Sequence, residues 1–403
     1  MLSRSDMPVI QVIKDLARYG IEAGYIVPTE TGLEKGIMDA HESLRSFLLA
    51  KGIHDFKDQP QGDRGKVLLE VNVIDRQGII KRKLSLYRPQ TKKGDPRIWV
   101  YGLGSYAEPW NLLVLFKSNG SLFLFNASRP EIYATLHTEG TLLHEALTAE
   151  KHDLDSAERE LVEQLRRIAA LGFIPSMRAG PTGIGYTLET LLGIKANPRK
   201  APDYHGVEIK ASRLGETGTN RRQQTRVSLF SQVPDWTISA CGSGKQILEN
   251  HGYVDERSGR LQLYTQLESK PNSLGFFLEN DQLKGLLRSK RKTPDQLREV
   301  VAWQYSTLLE RLREKHNRTA WVHARSRRIA HGHGEEFHYV LVACTRAPLA
   351  NNFPTLVEID AISFDFTLSM KGNRARDHGY LFKIHPSNMD LLFPRPTHVS
   401  LLS

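Results

Sequence analysis

Apolar and polar positions along this 403-residue chain follow two rhythms, and the switches between them predict its elements. A helical period runs over 7–19 and again over 33–51, with the Pro28-Thr29-Glu30-Thr31-Gly32 cluster as punctuation. Strand-like runs follow at Lys66–Ile74, Ile79–Tyr87, Ile98–Leu103, Leu112–Phe116 and Ser121–Phe125. Asn119-Gly120 between the last two is a hairpin signal, because both residues tolerate positive φ. Residues 1–150 therefore predict a small α+β domain, with 140–155 as its connection onward. Beyond it the pattern predicts a helix over 155–172 capped by Ser156, and a long helix over Pro294–Lys315 capped by Thr293. The basic run Lys284–Lys292 suits a solvated helix end. Strands are predicted at Thr319–Arg325, Phe337–Cys344, Leu356–Ser369 and Tyr380–Ile384. Residues 155–403 thus form a second domain of mixed α/β class, a central sheet flanked by helices.

The densest chemistry lies between Gly183 and Lys210. Pro202-Asp203 precedes Glu208-Ile209-Lys210, and His205-Gly206 between them suits a tight bend that brings the two acids together. From Val207 to Ala211 a strand would put Glu208 and Lys210 on one face and Val207, Ile209 and Ala211 on the other. Glu189, in the amphipathic stretch Tyr186–Ile194, could add an acid from a neighbouring helix. Cleaving a phosphodiester needs an activated water and a sink for charge on the phosphate. A hard cation held by one or two carboxylates supplies both, and a lysine beside it offsets developing charge. The same residues also suit the solvated face of a strand, and His205 suits a brace for the bend.

The wider segment resembles the catalytic core of the MvaI/BcnI family of restriction endonucleases, relatives of the mismatch-repair nicking enzyme MutH within the PD-(D/E)xK nucleases. The resemblance is carried by Thr182-Gly183-Ile184-Gly185, by Thr187, Glu189 and Leu191-Leu192, and by Ala201-Pro202-Asp203-Tyr204-His205 leading into Val207-Glu208-Ile209-Lys210. A further match is Asp377-His378-Gly379 followed by Phe382-Lys383-Ile384. It spans roughly residues 155 to 403. It implies a restriction-endonuclease-like sheet, a Mg²⁺ cofactor held by Asp203 and Glu208, Lys210 as catalytic lysine and Glu189 as the helix-borne acid completing the catalytic set. It implies cleavage of double-stranded DNA to 5′-phosphate and 3′-hydroxyl ends by a monomer, with a DNA methyltransferase guarding the host. A MutH-like nicking enzyme, a DNA-binding effector with a vestigial site and an RNA nuclease stay as alternatives.

Charge agrees with a polyanionic partner. The net charge is +10, and it is uneven: residues 1–150 carry 19 Lys/Arg against 18 Asp/Glu, the remainder 36 against 27. Base-reading side chains concentrate in the loop 371–379, where Lys371, Arg374, Arg376, Asp377 and His378 suit base edges or phosphates. Arg221 and Arg222 suit the DNA backbone. The 87–97 stretch, Tyr87-Arg88-Pro89 to Arg97, is either a phosphate grip or a solvated hairpin loop. His331 and His333 lack a convergent acid or cysteine. Two cysteines, Cys241 and Cys344, have no metal-ligand spacing, and a reducing cytoplasm is expected. The N-terminus lacks the apolar core of a signal peptide, and no run reaches the length of a membrane span.

Overall fold

The computed structural model describes residues 9–149, 154–194, 202–214, 226–281, 284–329 and 334–402. Contacts divide the chain into two compact units: Met1–Lys151 with Arg226–Leu309 and Leu349–Leu392, and His152–Thr225 with Glu310–Pro348 and Phe393–Ser403.

The first unit holds a seven-stranded sheet built from the N-terminal region, in the order Ala23–Ile26, Leu113–Ser118, Ser121–Asn126, Val67–Asp75, Gly78–Tyr87, Arg97–Val100, Met38–Asp39. Asn119 and Gly120 turn its Leu113–Asn126 hairpin with φ of 44° and 77°, the left-handed pair such a turn needs. The helical rhythm over 33–51 breaks in two. Glu30–Lys35 ends at Gly36, and His41 caps a second helix, Glu42–Ala50. In the 87–97 loop Arg88 donates from Nε to the Gly94 carbonyl (2.8 Å), and Arg97 is buried beside Asp39. Arg88 thus braces its own loop, and Arg97 pairs with the adjacent strand Met38–Asp39.

Two further sheets complete this unit. One runs Val227–Ser231, Leu381–Ile384, Ile362–Lys371, Leu261–Leu267, Tyr253–Val254, with Arg374–Asp377 paired beside Ile362–Lys371. The other is Phe276–Asp281, Leu286–Lys292, Leu297–Gln304. Three expectations change here. Lys284–Lys292 is mostly strand, not helix end. The long helix over Pro294–Lys315 is a strand, Leu297–Gln304, running straight into a helix, Tyr305–Lys315. Val300-Val301-Ala302-Trp303 are all buried, so both faces of that strand are covered and its apolar run carries no period of two. The 356–369 run likewise splits into a helix, Phe353–Glu358, and a strand, Ile362–Lys371.

The second unit is a sheet with helices against it. Its elements in chain order are α1 (Ser156–Ala169), β1 (Ile174–Pro175), α2 (Gly183–Leu191), β2 (Glu208–Arg213), the last turns of α3 (Tyr305–Lys315), β3 (Thr319–Arg328), β4 (Glu335–Thr345) and β5 (Thr397–Ser400). The sheet order is β5-β4-β3-β2, with β1 paired to β4; β2 and β3 are parallel, and β3 and β4 antiparallel. Leu161, Leu165 and Ile168 of α1 and Ile184 and Leu188 of α2 pack with Val207, Ile209, Val322, Phe337 and Tyr339. Each fully buried aliphatic side chain contributes roughly 1.5–3 kcal/mol. The cap of α1 is Asp155 rather than Ser156. Asp155 accepts from the Glu158 N–H (3.0 Å) while Glu158 accepts from the Asp155 N–H (2.9 Å), a reciprocal capping box. Among the described residues no helix is long and apolar enough to cross a membrane.

Candidate active site

Four residues, Tyr204 to Val207, set the site. Tyr204 and Val207 exchange both backbone hydrogen bonds, at 2.9 and 2.7 Å. The two residues between them are left-handed, His205 at φ 44° and Gly206 at φ 85°. This is a two-residue hairpin, and it puts Asp203 directly opposite Glu208, where cross-strand side chains approach most closely. His205 is exposed, with its ring edge-on to Tyr204 at 4.6 Å, and its part here is to shape the turn. The hairpin is tethered to α1 by the Tyr204 hydroxyl, which donates to Glu160 (3.0 Å).

Strand β2 then carries the alternation into chemistry. Val207 and Ile209 enter the core, while Glu208 and Lys210 share the other face. Glu208 is only 1% exposed, so its charge requires compensation. Lys210 Nζ lies 2.7 Å from Oε1, and Lys315 Nζ, from the end of α3, lies 2.7 Å from Oε2. The Lys315 contact is a charge contact without hydrogen-bond alignment, so Oε2 is a buried acceptor with a lone pair still unclaimed. Asp203 Oδ2 accepts from the Ile209 N–H (3.0 Å).

Glu189 arrives on α2. Ile184 and Leu188 anchor that helix in the core, and Thr187 Oγ1 accepts from the Met177 N–H (3.0 Å). Its start needs Gly183, where a Cβ would lie 2.4 Å from the Arg178 carbonyl oxygen. Burial pushes the Glu189 carboxyl above its usual range, the charge of Asp203 pushes it further, and Lys210 opposes. Asp203 is also raised, first by burial and then by the Glu208 charge. Glu189 and Asp203 therefore share one field with Glu208 and two lysines, and these two resist ionisation. A divalent cation relieves that repulsion. Among the described residues no three acids, histidines or cysteines form a ready-made metal cage. Mg²⁺ does not ask for one, since it keeps several waters and takes one or two carboxylates plus substrate phosphate. The raised acids and the unclaimed Oε2 fit such an ion.

Sequence reasoning missed Lys315. It stands 107 positions after Glu208 and reaches the site only because Thr319 of β3 pairs with Glu208 of β2. Of the residues proposed to touch DNA, Lys371, Arg374, Arg376, Asp377 and His378 lie on or beside the Ile362–Asp377 hairpin of the first unit, all exposed. Gly372 and Asn373 form its turn. Lys371, Arg374 and Arg376 make no ion pair among the described residues, whereas Asp377 accepts from the Gly379 N–H (3.2 Å) and so braces the bend. Arg221, Arg222, His331 and His333 lie outside the described residues.

Comparison with known proteins follows the same lines. Residues 162–393, more than half of the chain, match the MvaI/BcnI restriction endonuclease family. The structure of restriction endonuclease MvaI with a cognate DNA substrate is similar, at 20% identity and a TM-score of 0.52, over 62% of this chain and 100% of that one. MvaI solved without DNA matches over the same shares at 20% identity, with a TM-score of 0.38. Among curated proteins none matches this chain. The fold and the matched family place it in the class of restriction-type DNA endonucleases. The chain belongs to the MvaI/BcnI restriction endonuclease family.

Proposed function

We propose that this chain is a Mg²⁺-dependent, sequence-specific endonuclease of double-stranded DNA, working as a monomer alongside a protective methyltransferase. The observation that carries the chemistry is the buried Glu208, set opposite Asp203 by a two-residue hairpin and held at 2.7 Å by Lys210. Double-stranded DNA as substrate is supported by family membership and by the DNA complex of the similar MvaI structure.

Asp203 and Glu208 would hold the ion, whose chemistry is to polarise the scissile phosphate and acidify a bound water. Lys210 Nζ, fixed by Glu208, orients the attacking water and offsets negative charge on the phosphate oxygens. Glu189 closes the other side of the site with a third carboxylate. Attack forms the new P–O bond in line and breaks the P–O3′ bond. The 3′ oxygen takes up a proton, leaving a 3′-hydroxyl and a 5′-phosphate. The Lys371–His378 hairpin reads base edges, and Arg221 and Arg222 hold the backbone. Residues 1–150, which share a compact unit with 226–309 and 349–392, are an α+β addition that precedes the family match at residue 162.

Replacing Lys210 with alanine removes charge from the reacting centre but none from the base-reading hairpin. DNA affinity in a gel-shift assay should stay within about threefold, while single-turnover cleavage falls by about 10²-fold or more. Unchanged cleavage would remove Lys210 from the mechanism.

A further inference from the structure

Lys315 is placed too exactingly to serve only as a counter-charge. It ends α3, where the helix dipole favours a cation. The next residue, His316, is fully buried; its Nδ1 pairs with Thr319 Oγ1 (2.9 Å), and its ring lies parallel to Trp321 at 5.9 Å and edge-on to Phe393 at 5.4 Å. Two residues further, the Arg318 carbonyl accepts the Glu208 N–H (2.9 Å). The helix end is therefore pinned to the strand that bears Glu208. Lys315 itself is 18% exposed, so its ammonium stays over Oε2.

Charge balance says what this does. Counted as carboxylates, the form in which they would hold an ion, Glu189, Asp203 and Glu208 bring three negative charges, and Lys210 and Lys315 bring two positive ones. The site is one short of neutral. A divalent ion alone overshoots by one; the ion together with one phosphodiester is neutral. Without Lys315 the site would be two short, and the ion alone would balance it. Lys315 also stands 2.7 Å from the Oε2 that an ion would take, so the two cations repel each other there.

We propose that Lys315 is a positioning residue that couples metal loading to DNA: it holds Glu208 and blocks divalent binding until a phosphodiester supplies the missing negative charge. This rests on the metal-dependent nuclease reading above.

The test is Mn²⁺ binding, followed by electron paramagnetic resonance, to the DNA-free protein. Lys315→Met should bind Mn²⁺ about tenfold tighter than wild type, and Lys315→Arg, which keeps the charge, should stay near wild type. A folded Lys315→Met with unchanged or weaker Mn²⁺ affinity would overturn the proposal. Should that variant fail to fold, Lys315→Gln decides by the same tightening. Double-stranded DNA should tighten wild-type Mn²⁺ binding by about tenfold, and no change overturns the coupling. If the wild type cuts DNA with Mg²⁺ and needs Asp203 to bind Mn²⁺, yet neither effect appears, only the coupling fails. Wild type that neither binds Mn²⁺ nor cuts removes the nuclease reading and the coupling with it.

Discussion

At the scale of residues, the site depends on backbone conformation as much as on charge. His205 sits at φ 44°, a region that β-branched side chains reject. His205→Val should destabilise the protein by about 1–2 kcal/mol and loosen the Asp203–Glu208 pair, whereas His205→Asn should be nearly neutral. Urea denaturation with a parallel cleavage assay checks both. A harmless valine would mean that the turn does not set the site. The sequence made much of this legible, because the turn, the two acids and Lys210 are local: eight consecutive residues specify their own geometry. Lys315 was not legible. Nothing near it in sequence signals a site, and only the parallel pairing of Thr319 with Glu208 brings it there.

Among the elements, the pattern revealed period well and layering poorly. The Asn119-Gly120 hairpin and the helix bearing Glu189 follow from local rules. The strand Leu297–Gln304 does not, because four consecutive buried residues read equally as strand or helix. The helix Gly244–His251 carries an acid-sensitive group. His251 ends it, 6% exposed, edge-on to Phe276 at 6.0 Å, with Arg291 stacked on the same ring. Burial, aided by the charges of Arg291 and Arg298, lowers its pKa from 6.5 to about 4. The unfolded chain binds a proton that the folded chain refuses, so stability is full above pH 6.5 and falls as pH drops toward 4. Between pH 7 and 5 the loss from this group should be roughly 2 kcal/mol, and His251→Gln should remove it. Urea midpoints at the two pH values give the answer; equal slopes in both proteins would clear His251 of the effect.

For the whole molecule, the residues proposed for catalysis and for base reading fall in different compact units: the acids and lysines in one, the Ile362–Asp377 hairpin in the other. Variants should therefore separate. Arg376→Ala should leave cleavage chemistry intact yet relax discrimination at one base position by about 1–3 kcal/mol, measured as relative kcat/KM on single-substitution sites. Equal loss on every sequence would instead mark Arg376 as a phosphate contact. Composition pointed to DNA through the excess of basic residues after position 150, but it could not show how the chain weaves between two units. That depends on long-range pairing, which no local pattern encodes.

The most direct measurement is digestion of a long unmethylated DNA with Mg²⁺ by wild type and by Asp203→Ala. Wild type should give discrete double-strand fragments with 5′-phosphate ends, and the variant none. Nicks without linear fragments would contradict the double-strand assignment and favour a MutH-like enzyme. Fragments from both proteins would contradict the site itself.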